Sequence, residues 1–153
     1  MQATQAELGW FAGLLEGEGC ITLFKQPRKN GKFDIITGIQ ITNTDINIIQ
    51  KLSDILSKCG LSWFLRDKKL YSKNHSQCYY LECRQQGMLK KSLETFIPFM
   101  FGNKKSKALL VLDFLEKRNG KKGNNPYTEN ELSLIPRGYT SGSHAEQDIV
   151  HTT

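Results

Sequence analysis

The chain has 153 residues and a formal charge of +6, from 21 Lys and Arg against 15 Asp and Glu, with 39% hydrophobic residues. This suits one globular domain and excludes a disordered, collagen-like or coiled-coil chain. No apolar run approaches the ~18 residues of a membrane helix and the start lacks a secretory-signal pattern, so a soluble intracellular protein without a membrane partner is expected.

The charge is unevenly placed: residues 1–19 carry −3, residues 20–110 carry +10 and residues 111–153 carry −1. A basic middle suits a polyanion, because phosphate neutralisation and counterion release dominate nucleic-acid affinity. A solvated, solubility-promoting surface is the alternative. Cys20, Cys59, Cys78 and Cys83 form no C-x-x-C pair, and His75, His144 and His151 form no ligand cluster. Zinc-finger spacing is therefore absent, and the cysteines read as reduced, buried small hydrophobes.

In chain order, residues 5–17 have helical spacing, with Gly19 suited to a left-handed helix stop. Residues 20–26 and 33–42 read as strands joined by the PRKNG turn, a β-hairpin. Thr44 or Asp45 caps a helix carrying Ile48, Ile49, Leu52, Ile55, Leu56 and Cys59 and ending at Gly60. The scheme repeats with strands at 62–70 and 78–84 and a short amphipathic helix at 88–96. A polar basic stretch, residues 102–107, leads into an apolar helix at 108–115. The expected order is αββαββα, in a single domain over residues 1–118. Residues 119–153 read as a linker, a short helix at 128–135 and a loosely held tail. Two hairpins alternating with helices imply an α+β fold whose antiparallel sheet has helices on one face and an open face on the other.

Alternation sorts the strand residues. Cys20, Ile21 and Leu23 are expected in the core. Thr22, Phe24 and Gln26 share the opposite parity, as do Asp34, Ile36, Gly38, Gln40 and Thr42 on the second strand, Arg66 and Lys68 on the third, and Tyr80, Glu82 and Arg84 on the fourth. These sets mix the donors and acceptors needed to read base edges in a major groove, which admits a β-ribbon. An ordinary wet sheet face has the same pattern.

Gly9, Gly13 and Gly17 recur at intervals of four in the first helix, beside Ala12. Each interior glycine costs roughly 1 kcal/mol against alanine. Such a stripe allows close approach of another backbone, within the domain or from a second copy. Glu16 and Glu18 sit at the helix C-terminus, where the macrodipole disfavours negative charge. They are either solvated acids or ligands for a divalent cation such as Mg²⁺, which takes carboxylate, carbonyl, water and phosphate oxygens.

Residues 11–19, FAGLLEGEG, resemble the nine-residue LAGLIDADG motif of homing endonucleases, and the αββαββα order supports the likeness over roughly residues 5–117. One motif in a chain this short resembles the homodimeric branch. The resemblance implies a site-specific double-strand DNA endonuclease acting on a long, pseudo-palindromic target with Mg²⁺ or another divalent metal. It places Gly9, Ala12 and Gly13 at the dimer interface, and Glu18, where Asp is the common residue, with the Gly17 carbonyl at the metal. Lys104 and Asn43 match the lysine and the water-positioning Gln/Asn around the attacking water. The outward strand residues become candidate base readers, and Arg28, Lys29, Lys32, Lys69 and Lys73 candidate phosphate contacts. Lys117, Arg118, Lys121 and Lys122 are candidate contacts to flanking phosphates. The resemblance also leaves open an RNA maturase that assists splicing of its host intron RNA, and a DNA-binding protein that no longer cleaves. It fits an intron-encoded protein of a chloroplast, a mitochondrion or the archaeal cytoplasm.

Overall fold

The computed structural model of the chain describes residues 1–68, 76–123 and 125–136. Helix α1 (Gln5–Glu18) opens on a reciprocal cap: the Glu7 N–H donates to the Thr4 hydroxyl at 3.2 Å, and the Thr4 N–H donates to the Glu7 carboxylate at 2.9 Å. Two donors that a helix start leaves without partners are thereby satisfied. The other Glu7 oxygen accepts from Lys51 and Lys58, both at 2.8 Å, which ties α1 to α2 (Ile46–Lys58).

Gly19 ends α1 for a different reason from the one the sequence suggested. It is extended (φ −84°, ψ 165°), and a Cβ there would lie 2.4 Å from the Leu15 carbonyl oxygen. Glycine is required by the close crossing of the helix's own last turn rather than by a left-handed backbone.

Strand β1 (Gly19–Pro27) pairs antiparallel with β2 (Phe33–Asn43), Thr22 opposite Gly38 and Phe24 opposite Ile36. Asn30 and Gly31, at φ 73° and 72°, make the turn between them. Asp45 caps α2, its side chain accepting the Asn47 N–H at 2.9 Å. Then come β3 (Phe64–Lys68), β4 (Cys78–Cys83), α3 (Gln86–Phe96), α4 (Asn103–Arg118) and the four-residue α5 (Glu129–Leu132). The sheet is antiparallel in the order β1-β2-β4-β3, so the second strand of each hairpin lies at the centre.

One sheet face carries Ile21, Leu23, Ile39, Ile41 and Leu81, all buried in one cluster with residues of the four long helices. Phe11 of α1 stacks on Phe96 of α3 at 4.0 Å and meets Trp63 edge-on at 5.5 Å. The Trp63 indole N–H donates to Ser92 Oγ at 2.9 Å, so the polar end of this large side chain is satisfied inside the core. Cys20, expected in the core, is exposed on the other face, two residues from Thr22 in the alternation.

Two further expectations change. Helix α4 begins at Asn103, five residues earlier than expected, so the basic run lies inside its first turns. Arg118 is not a surface cation: its side chain and that of Glu131 are each 1% exposed, with Nη1 3.2 Å from the carboxylate. Its guanidinium also donates to the carbonyls of Pro126, at 3.2 Å, Asn125, at 2.8 Å, and Lys122, and it stacks on Tyr127. The expected linker, where described, is thus wound round a buried arginine. Tyr127 in turn stacks on Phe33, and its hydroxyl accepts the Ile35 N–H at 3.1 Å, bracing the first hairpin.

Candidate active site

Glu18, the last residue of α1, is exposed, and its carboxylate is held from β2: Asn43 Nδ2 donates to Glu18 Oε2 at 2.7 Å. The Asn43 carbonyl accepts the Asp45 N–H at 2.8 Å, which fixes the amide's orientation. Both ends of Asn43 are therefore engaged within the chain, and its place is that of a residue positioning Glu18.

Glu16 has a separate task. Its Oε1 accepts the Phe101 N–H at 2.8 Å and the Gly102 N–H at 2.5 Å, at the start of α4, where no local side chain caps the helix. A Cβ on Gly102 would lie only 3.2 Å from that oxygen. In return, Lys104 Nζ, from the first turn of α4, donates to the Glu16 carbonyl at 2.7 Å. A carboxylate thus sits at the positive end of α4 and an ammonium at the negative end of α1, both favourable to the helix dipoles. This exchange neutralises the helix end that carries Glu18. Burial pushes the Lys104 ammonium below the ordinary lysine pKa, against the opposing charges of Cys20 and Glu16.

The glycine stripe faces outward. A Cβ on Gly9, Gly13 or Gly17 would meet nothing within 4 Å, and Trp10 beside them is 40% exposed. Ala12 departs from the expected interface: it is fully buried in the chain's own core.

The strand residues gathered by alternation share one face, across a shallow hollow of about 350 Å³ lined by Thr22, Phe24, Ile36, Gly38, Gln40, Glu82 and Arg84 among others. Pairing puts Cys20, Gln40, Glu82 and Phe64 in one row and Thr42, Tyr80 and Arg66 in the next. Gln40 Nε2 donates to the Thr42 hydroxyl at 3.2 Å. Phe24 and Gly38 lie on this face and line the hollow but are themselves buried, Phe24 at 8% exposed. Gln26, Lys29 and Lys32 are exposed towards the hairpin tip, whereas Arg28 is paired with Asp34. Lys69 and Lys73, and the side chain of Lys68, lie outside the described residues.

The helices on one face, the outward glycine stripe, the acid at its end and the open sheet define the fold of the LAGLIDADG homing endonucleases. Among solved structures with this fold, I-TnaI is 20% identical, with a TM-score of 0.62 over 99% of this chain and 97% of its own. The archaeal intron-encoded I-Vdi141I, complexed with DNA, is 15% identical at 0.63, covering 95% of each chain. I-CvuI, in complex with its target in the presence of Ca, is 22% identical at 0.58, over 74% of this chain and 68% of its own. The sequence matches no family model and no curated protein.

Proposed function

We propose that the chain is a site-specific DNA endonuclease that works as a homodimer, cutting both strands of a long pseudo-palindromic duplex by divalent-metal-dependent phosphodiester hydrolysis. The observation that carries this reading is the exposed Glu18 carboxylate, held by Asn43 at the end of a helix whose small-residue stripe faces outward. Glu for the common Asp lengthens the side chain by one methylene and keeps the carboxylate, which favours cleavage over binding alone.

The donors fit a hard divalent cation such as Mg²⁺: the Glu18 carboxylate and the carbonyl of Gly17, in the last turn of α1, are oxygen ligands. Among the described residues no three His, Cys, Asp or Glu side chains group together as a metal site. In a homodimer, a second Glu18 across the two-fold axis and the scissile phosphate would add further oxygen ligands. When bound, the ion supplies Lewis acidity at the phosphate and lowers the pKa of its water. Asn43 holds the Glu18 carboxylate in place, and Lys104 sets a positive charge beside the site. The open sheet lies along the major groove, with exposed Lys29 and Lys32 towards the phosphates.

The outward glycine stripe supports the two-copy reading, because a Cβ on Gly9, Gly13 or Gly17 would meet nothing within 4 Å and the helix can approach a second copy closely. The test is cleavage selection from a randomised duplex library with Mg²⁺, comparing the protein with Glu18→Gln. The parent is expected to enrich one pseudo-palindromic target, and Glu18→Gln to bind it but cut at least about a hundredfold more slowly. No enriched target, or equal cutting by the variant, contradicts the proposal.

A further inference from the structure

Glu82 is a buried acid on the open face of the sheet, where a surface facing phosphates calls for cations. It is 6% exposed, next to the last residue of β4, level with Gln40 on β2 and Phe64 on β3. A buried carboxylate is stable only when paired. Two arginines flank it: Arg66 Nε from β3 lies 3.1 Å from Oε1, and Arg84 Nε lies 3.5 Å from Oε2. Both arginine side chains remain largely exposed, at 58% and 65%. Gly38 matters to this arrangement, since a Cβ there would come within 3.4 Å of Arg84 Cγ and 3.3 Å of the Cys83 carbonyl. The glycine leaves room for the arginine stem against β2.

We infer that Glu82 is a positioning residue that holds the Arg66 and Arg84 guanidiniums as two pre-ordered readers of guanine, one on each side of it, in each half of the DNA target. This inference rests on the DNA-endonuclease reading. A guanidinium has five donors in a rigid fork. The closest approach to Glu82 is made through Nε in each arginine, which leaves the Nη donors for other acceptors. Those donors match the O6 and N7 acceptors of guanine, the commonest specific contact in the major groove. An arginine side chain costs up to about 2 kcal/mol of rotamer freedom to order. Pairing on Glu82 spends that entropy in the free protein, so the bound state loses less. The trio as a whole remains cationic, so the acid does not repel the duplex. Glu82 then touches no base, and its effect on specificity passes through its two partners.

The test is binding selection from a randomised duplex pool in Ca²⁺, followed by sequencing, for the parent, Arg66→Ala, Arg84→Ala and Glu82→Gln, with melting temperatures measured for all four. Each arginine variant is expected to lose guanine preference at its own position in each half-site by on the order of tenfold or more, with other positions unchanged. Glu82→Gln, close to isosteric, is expected to weaken the preference at both of those positions at once and nowhere else. A merely structural Glu82 would instead lower the melting temperature and weaken binding evenly across positions, and that result overturns the inference. So does an arginine variant that leaves every base preference intact, which needs no Glu82 variant to fold. A parent that selects no sequence overturns the endonuclease reading, and this inference with it.

Discussion

Glu16 and Glu18 are chemically alike and two residues apart, yet they have no partner in common. Glu18 is exposed and meets Asn43, while Glu16 holds the backbone N–H groups of Phe101 and Gly102. The likeness to the nonapeptide singles out Glu18 as the proposed metal ligand, but the sequence carries no sign that Glu16 caps a helix 86 residues away. A cap supplied from another element leaves no short-range pattern, unlike the Thr4–Glu7 box, which is visible as T-x-x-E. Lys104 was legible by position alone, and its contact with the Glu16 carbonyl adds a reason for its place. Because burial holds its folded pKa below the unfolded value, the unfolded chain binds more protons between the two, and this group's contribution makes stability rise with pH across that window. If its ammonium supports cleavage, activity falls on the alkaline side at a pH below the ordinary lysine value of about 10.4. In Lys104→Arg, which stays protonated, that limb is expected to move up or disappear. A pH–rate profile of both proteins checks this, and an unmoved limb assigns the loss to another group.

At the scale of elements, period-2 and helical spacing located both hairpins and the long helices, because each buries one face against a single core. Two elements were misjudged, for long-range reasons. Helix α4 starts at Asn103 because its polar first turn is anchored by Glu16 rather than by local apolar packing. Residues 119–126 read as a linker ahead of the short helix expected at 128–135; that helix is present as α5, but Arg118, on the α4 face that also buries Val111, Phe114 and Leu115, gathers the linker round itself. Reading Arg118 by its spacing instead of its charge would have found it. Removing one partner of a buried ion pair leaves the other charge uncompensated. Glu131→Ala is therefore expected to cost about 3–5 kcal/mol in denaturant unfolding. The double variant Arg118→Met, Glu131→Leu is expected to cost clearly less. Equal losses in the two proteins would show that the packing of the segment, not the pairing, carries its stability.

The whole molecule is arranged in two parts: a basic sheet surface and an acid at the end of an outward glycine stripe. The +6 total hinted only at a polyanion, and the +10 of residues 20–110 narrows it to the segment that holds the four strands together with α2, α3 and the basic first turns of α4. The −3 of residues 1–19 divides among a helix cap, a cross-helix cap and Glu18, so the exposed acid at the end of the stripe contributes only one of the three. The central claim is that two copies of one Glu18 complete a site that one chain lacks. The measurement that tests it most directly is cleavage of the selected duplex in Mg²⁺ by purified, doubly tagged mixed dimers of parent and Glu18→Gln chains. Mixed dimers are expected to bind like the parent and to lose most double-strand cleavage. Mixed dimers that make double-strand breaks at the parental rate would contradict a site shared between the two chains.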